Sequence, residues 1–266
     1  AAAPVPTWCA WPEYETQVPL DLARLARAVQ TQTGGRIAVQ VHAPENDSPE
    51  KSGASQRGRA GGLAALAAAR ASIAAGAPLA LVIAADSLLQ QYVLGTLLMQ
   101  QRIKTERLSD GLIPGMGAAA LLLASPAAAT RLGLTPLARI AGVGCATEAG
   151  HFANDGDWQG DALATAAHTA LADDAVPVAG LWSTMTGERC WAGEFGVTQV
   201  RCRARVPPTA VVHHPADAWG DLGAASGVAL IALAIAAHHR GWAQLPALVL
   251  ASSDFGGRGA ALVVSA

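Results

Sequence analysis

The chain has 266 residues, of which 52% are hydrophobic and 14% are charged, and this composition excludes an intrinsically disordered protein. Its 18 Lys and Arg residues nearly balance its 20 Asp and Glu residues, giving a net charge of −2, so no basic surface for nucleic acid is expected. The apolar residues 227 to 237 end at His238, well short of the roughly 20 residues of a membrane-spanning helix. We therefore expect a soluble protein with a large core, no membrane span and no nucleic-acid partner.

The start of the chain predicts no targeting signal. Residues 1 to 7 have neither a charged start nor a long apolar stretch, so no signal peptide is predicted and the cytoplasm is the expected location. The cysteines are too few and too scattered for a disulfide framework and form no C-x-x-C pair. We expect buried thiols at Cys9, Cys145, Cys190 and Cys202.

Apolar patterns outside any repeat predict two helices and three strands. A stretch rich in Ser, Gly, Lys and Glu at residues 44 to 59 is expected to be a loop. In chain order the predicted elements are a helix at 20 to 29, strands at 36 to 43 and 140 to 145, a helix at 160 to 172 and a strand at 178 to 183.

A duplication is the most informative feature of the sequence. Residues 60 to 87 and residues 225 to 254 each run from small residues through an apolar helical stretch and a glycine into an apolar strand. Each is followed by a second apolar strand entered from glycines, at residues 115 to 125 and 256 to 266. Helices and strands that are apolar on every face must be covered by protein on both sides. Both repeats are therefore expected to share one α/β core.

Four short motifs, in order along the chain, resemble those of the β-ketoacyl synthases, which have the thiolase fold. The family's D-G-F-x-x-G-E-G-A and I-x-G-x-G segments correspond to DGLIPGMGA at residues 110 to 118 and IAGVG at 140 to 144. Its H-T-x-G-A-A-G and N-S-F-G-F-G-G-x-N-A motifs correspond to GDLGAASG at residues 220 to 227 and SSDFGGRGA at 252 to 260. The resemblance covers residues 60 to 266.

The resemblance implies a layered α-β-α-β-α architecture with two mixed five-stranded sheets. It implies a shortened N-terminal half at residues 1 to 125 and a C-terminal half at residues 126 to 266, together forming one compact unit. The family's long stretch before the first central helix is missing here.

The resemblance also implies where catalytic residues would stand. In the family a cysteine at the start of the first central helix attacks an acyl thioester, and two histidines assist decarboxylation. The corresponding positions hold Arg59, Thr186 and Gly220. Arginine is no nucleophile, and no cysteine occurs between Cys9 and Cys145, so no catalytic residue of the family type is expected.

The glycine turn that supplies an oxyanion-hole N–H in the family is present at Phe255, Gly256 and Gly257. The resemblance places a former acyl pocket near Cys145, His151, Trp182 and Trp219, although core packing or an ordinary loop position explains each of them as well.

Other polar residues invite weaker hypotheses. Nothing in the sequence brings Glu188, Glu194 and Asp221 together, so they are expected to be solvated or to cap helices. The histidine pairs 213–214 and 238–239 point in different directions within each pair. No metal site is therefore predicted, and no cofactor is implied.

Three functions remain open. The first is a non-catalytic β-ketoacyl synthase homologue, similar to a chain-length factor, that pairs with an active ketosynthase in fatty-acid-like, polyketide or polyene biosynthesis on an acyl carrier protein. The second is an acyl-thioester hydrolase or acyltransferase that uses another nucleophile, with Ser52, Ser55 and Cys145 as candidates. The third is a homodimeric module that binds acyl chains without turnover.

Overall fold

The computed structural model describes residues 4–14, 22–32, 38–42, 56–152, 154, 158–172 and 176–266. The strands are β1 Val5–Ala10, β2 Val39–His42, β3 Leu79–Ser87, β4 Met116–Ala124, β5 Arg139–Thr147, β6 Gly180–Ser183, β7 Val211–His213, β8 Ala247–Ser252 and β9 Gly257–Val264. The helices are α1 Leu22–Gln32, α2 Gly58–Ala74, α3 Gln91–Met99, α4 Pro126–Leu132, α5 Asp161–Leu171, α6 Arg189–Arg201, α7 Ala216–Trp219 and α8 Ser226–His239, and a 3-10 turn at Gly223–Ala225 precedes α8.

The first sheet has the strand order β2-β1-β3-β4. Strand β1 is parallel to β2 and β3, whereas β3 and β4 are antiparallel. The described residues thus supply four strands where the resemblance predicted five. Strand β1 was not predicted, and its Pro6 cannot donate to a sheet and argues against an interior strand.

The second sheet has five strands in the order β5-β9-β8-β6-β7, as predicted. Strands β6, β7 and β8 are mutually parallel, and β9 is antiparallel to both β5 and β8. The succession α8-β8-β9 repeats the succession α2-β3-β4, and in both the two strands pair antiparallel. The predicted duplication of helix, strand, link and strand is therefore present in the structure. The expectation that every strand of the repeats is covered on both sides is wrong for β4, because its alternate residues, including Met116 and Leu122, are exposed.

Helices α2 and α8 lie between the two sheets, and each contacts strands of both. They approach so closely that a Cβ atom on Gly62 would lie 2.5 Å from a methyl of Val228, and one on Gly227 would lie 2.8 Å from the Arg59 carbonyl oxygen. Small residues on both helices allow this contact. Leu63, Leu66 and Ile231 are fully buried in the core that results.

Outer helices complete the layers. Helices α5 and α6 cover the second sheet through a core that includes Leu163 and Phe195, and α1 contacts β2 of the first sheet. The predicted α-β-α-β-α order is therefore confirmed. Helices α3, α4, α6 and α7 were not predicted. Helix α6 contains Gly193 and Gly196 and lacks an apolar stripe, which explains why no helical pattern was visible there. No helix in the described part of the chain is long and apolar enough to cross a membrane.

Candidate functional site

Arg59 lies buried in the first turn of α2, the central helix of the first repeat. Its guanidinium donates from Nε to the Ser252 carbonyl oxygen at 2.8 Å and from Nη1 to Asp221 at 2.5 Å. Its Nη2 atom pairs with Asp254. Burial alone would lower the pKa of Arg59, but Asp221 and Asp254 raise it well above its usual value. The start of α2 therefore holds a permanent positive charge.

A second buried arginine joins the same carboxylate. Arg102 donates from Nη1 to Asp254 at 2.7 Å and forms a two-pronged pair with Glu188, at 2.7 Å from Nε and 3.0 Å from Nη2. Burial alone would raise the pKa of Asp254, but Arg59 and Arg102 hold it well below its usual range. We call the five side chains Arg59, Arg102, Glu188, Asp221 and Asp254 the ion cluster.

Residues 13 and 14, in the segment after β1, contact the ion cluster and the glycine turn beside it. Tyr14 donates its hydroxyl hydrogen to Asp254 and accepts from Arg102 at 2.9 Å. The Glu13 carboxylate accepts a hydrogen bond of 2.7 Å from the Phe255 backbone N–H. Burial, and then the charge of Asp254, raise the pKa of Glu13 to about 7. The N–H of the glycine-rich turn thus already has a carboxylate partner from this chain.

One hydroxyl lies at the tip of α2. Ser253 accepts from the Ala60 backbone N–H at 2.9 Å and donates to the Arg57 carbonyl oxygen at 3.0 Å. Both contacts are to the backbone, as in a helix cap. In the described part of the chain no imidazole contacts this hydroxyl, so it lacks the adjacent base that activates a serine nucleophile.

The expectation that Glu188 and Glu194 are solvated is wrong, because both are buried. Glu188 accepts from Arg102, and Glu194 accepts from Arg258 Nε at 2.6 Å. Sequence spacing gave no sign of either arginine partner. The capping role expected for Asp221 is present, since its Oδ1 accepts from the Gly223 N–H at 2.9 Å, yet its other oxygen binds Arg59.

The three positions that the resemblance assigned to catalytic residues lie near one another. Thr186 donates to Glu188 at 3.0 Å. Gly220 is buried next to Asp221, with a positive φ of 79° and a contact to the Ile113–Gly115 backbone that leaves no room for a side chain. All three positions therefore lie at the ion cluster: Arg59 belongs to it, Thr186 binds its Glu188, and Gly220 precedes its Asp221.

The residues predicted to line an acyl pocket are dispersed. His151 packs against Phe255, with ring centroids 6.4 Å apart, at the rim of the glycine turn. Cys145 lies in β5 opposite Gly259, and burial raises its pKa to about 11. Trp182 is buried in the central core and stacks on His213 of β7, and Trp219 packs against the same core from outside it. These side chains do not line one cavity.

The arrangement offers little for covalent catalysis. The cations are paired with carboxylates, the Ser253 hydroxyl caps a helix, and the Cys145 thiol is protonated at neutral pH. Trp191 covers Arg59 at 4.7 Å from the guanidinium carbon to the ring centroid. Among the described residues, no group of three His, Cys, Asp or Glu side chains could hold a metal ion.

Solved structures resolve the question of fold. No family model matches the chain, and no curated protein does. The ketosynthase from module 6 of the bacillaene synthase of Bacillus subtilis 168 is similar at a TM-score of 0.75 and 12% identity, over 98% of this chain and 54% of that chain. This chain has the ketosynthase fold.

Two further structures with the ketosynthase fold are complexes. One is a type II PKS acyl-carrier protein in complex with its ketosynthase bound to the hexaketide (AntDE:AntF), with a TM-score of 0.71 and 17% identity over 92% of this chain and 67% of that chain. The other is the ishigamide ketosynthase/chain length factor, with a TM-score of 0.71 and 15% identity over 92% and 66%. The chain spans about half to two thirds of the length of these structures.

Proposed function

We propose that the chain is a non-catalytic subunit with the ketosynthase fold, which pairs with an active ketosynthase and shapes its acyl pocket as a chain-length factor does. An acyl carrier protein would be the second partner, and the cytoplasm the expected compartment. The observation that carries this proposal is Arg59, buried at the start of α2 and paired with Asp221 and Asp254.

Arg59 is incompatible with the family chemistry for a physical reason. A thiolate at a helix start is stabilised by the helix dipole and by a nearby positive charge. Here the positive charge itself occupies the place, and two carboxylates neutralise it. An incoming acyl thioester would find no nucleophile, and a carboxylate already accepts from the Phe255 N–H.

The comparisons support a role as a partner. Two of the similar structures are an acyl-carrier protein in complex with its ketosynthase and a ketosynthase/chain length factor. A fold without chemistry fits the second member of such a pair. Of the other nucleophile candidates, Ser52 and Ser55 lie outside the described residues, and Cys145 has a raised pKa.

The absence of acyl transfer can be tested on the purified chain. We expect no mass increase in the intact protein after incubation with an acyl thioester of N-acetylcysteamine, and no thioester loss above the blank. The variants Ser253→Ala and Cys145→Ala should behave as the parent chain does. A covalent acyl adduct that disappears in either variant contradicts the proposal.

The pairing can be tested by co-expression with a ketosynthase of the same host. We expect the two chains to co-purify, and the length of the acyl product to change when this chain is omitted. If they do not associate and the product is unchanged, the partner role is wrong even when acyl transfer is absent.

A further inference from the structure

The two sheets match strand for strand except at one edge. Strands β1, β2, β3 and β4 pair in the same order and directions as β6, β7, β8 and β9. In the second sheet, β5 pairs antiparallel with the far edge of β9. Within the described residues, no strand pairs with the far edge of β4. The counterpart of β5 is therefore missing beside β4.

The helix that follows β5 also lacks a counterpart. Helix α1 joins β1 to β2 as α6 joins β6 to β7, so these two helices correspond. Helix α5 packs on the outer side of the second sheet, against β5, β9 and β8. The helices that pack on β3 and β4 are the central α2 and α8, which lie on the inner side. The outer side of β3 and β4 is thus the place that α5 covers in the other repeat.

Equivalent leucines show the consequence. Leu81 pairs with Leu122 in the first sheet as Leu248 pairs with Leu262 in the second. Leu248 and Leu262 are 0% exposed in the core beneath α5, whereas Leu122 is 58% exposed. Because side chains alternate along a strand and Leu121 faces the central core, Leu122 faces outward. The first sheet therefore has a core-type residue with no cover.

The uncovered surface extends along the whole of β4. Met116, Ala118 and Ala120 share the exposed face with Leu122. Neither β3 nor β4 places a charged side chain on this face. An unpaired strand edge beside an apolar face is a template for another strand. Recognition here depends on main-chain hydrogen bonds and apolar contact rather than on charge.

The second repeat shows what kind of segment fits. Strand β5 has nine residues and α5 has eleven. Glycines in β5 allow the helix to lie close, since Cβ atoms on Gly142 and Gly144 would lie 2.0 Å and 2.1 Å from carbonyl oxygens of α5. The buried side of α5 is mostly alanine, with Leu163 and Leu171. A strand with small residues, followed by an amphipathic helix, matches the uncovered surface.

We propose that the free edge and outer face of β4 bind a strand and an amphipathic helix donated by a partner protein. The strand pairs antiparallel with β4, and the helix covers Leu81 and Leu122, as β5 and α5 cover their counterparts. The surface contains no residue of the ion cluster. The proposal is therefore independent of the proposed function, and its test uses no ketosynthase.

A synthetic peptide of residues 139 to 171, which contains β5 and α5, is the probe for the full chain. Hydrogen exchange of the backbone amides is measured with and without the peptide. We expect slower exchange in β4, because a paired edge protects its N–H groups. A peptide of the same composition in scrambled order is the control and should give no protection.

Two variants locate the binding. Leu122→Ser removes the apolar contact at an exposed position and should weaken peptide binding at least about tenfold. Val200→Ser, on α6 at a side chain 62% exposed, should leave it unchanged. The proposal is overturned by the absence of protection in β4 up to the solubility limit of the peptide, by equal protection with the scrambled peptide, or by binding unaffected in Leu122→Ser. Sedimentation of the chain alone gives a further test, because a dimer that Leu122→Ser dissociates would show that a second copy covers this face and would contradict the proposal.

Discussion

The two central helices occupy equivalent places in the two repeats, yet they begin differently. Before α8, Asp86 accepts from the Ala224 N–H at 2.8 Å and Asp221 accepts from the Gly223 N–H at 2.9 Å. These carboxylates agree with the helix dipole. At the start of α2, the charged side chain is Arg59, and its sign opposes the dipole.

This difference shows that the start of α2, unlike the start of α8, depends on a buried ion pair. Helix α8 begins without any cation in its first turn, so this position in the layered fold does not require one. Helix α2 tolerates Arg59 only because Asp221 and Asp254 neutralise it. Asp221 connects the two starts, since it caps the turn before α8 with one oxygen and binds Arg59 with the other.

The largest expected effect comes from removing the carboxylate that both arginines share. Asp254→Ala leaves Arg59 and Arg102 buried with fewer partners, and breaking a buried ion pair costs about 3–5 kcal/mol. We expect the free energy of unfolding in urea to fall by this amount.

A surface pair provides the control for that prediction. Asp110 binds Arg189 at 2.6 Å, but the arginine side chain is 89% exposed, and such pairs contribute about 1 kcal/mol or less. Asp110→Ala should therefore change the unfolding free energy far less. Equal losses in the two variants would mean that the charge at the start of α2 is no more costly than charge on the surface.

A second prediction concerns the glycine turn beside the ion cluster. Gly256 has a φ of 94°, and a Cβ atom there would lie 2.8 Å from the Glu148 carbonyl oxygen. Gly256→Ala should lower the unfolding free energy by about 2–3 kcal/mol, because strain and a backbone clash add together. Gly76 also has a positive φ, of 106°, but nothing lies within 4 Å of its added Cβ. Gly76→Ala should cost only about 1 kcal/mol, and a smaller loss at Gly256 than at Gly76 would contradict the packing argument.

Sequence patterns predicted the repeated core because its helices and strands are apolar on every face. The apolar stretches around Leu63 and Ile231 predicted the two central helices. The glycine motifs marked where the second strand of each repeat begins. Strand β1 escaped prediction through Pro6, and α6 through its internal glycines. In those elements tertiary packing outweighs local preference.

The ion cluster was only half predictable. The motif alignment placed Arg59 at the helix start, but it did not indicate Arg102, which lies in an irregular link between α3 and β4. The contacts between Arg102 and Asp254 span 152 positions in sequence. Such a pair has no local period, so its members look like ordinary surface charges until the chain is folded.

A third prediction uses pH to distinguish the buried carboxylates. The pKa of Glu13 is about 7 in the folded chain and about 4.3 in an unfolded one. The folded state binds more protons between these values, so stability from Glu13 is present below about pH 4 and is lost as the pH rises to about 7. Glu13→Gln keeps an oxygen for the Phe255 N–H and should remove this loss, a gain of about 3 kcal/mol at pH 8.

Urea unfolding at pH 5 and pH 8 measures that effect. Asp254, whose pKa is held well below its usual range, contributes stability that is present above about pH 4 and lost on acidification below it. It is therefore constant over the measured window. If the unfolding free energy of Glu13→Gln and that of the parent chain change by the same amount between pH 5 and pH 8, Glu13 is ionised over the whole range. In that case the surroundings of the ion cluster carry one more negative charge.

The smallest expected effect is at the start of the second repeat. Asp86→Ala removes the acceptor for the Ala224 N–H but leaves no buried cation, because within the described residues Asp86 binds only the backbone N–H groups of Ser87 and Ala224. The loss should be about 1 kcal/mol, the size of a helix cap. Burial raises the pKa of Asp86, so part of what the hydrogen bonds contribute is already offset by desolvation of the charge. A loss as large as that of Asp254→Ala would show that both helix starts depend equally on their carboxylates, and the distinction between a neutralised cation and a simple cap would fail.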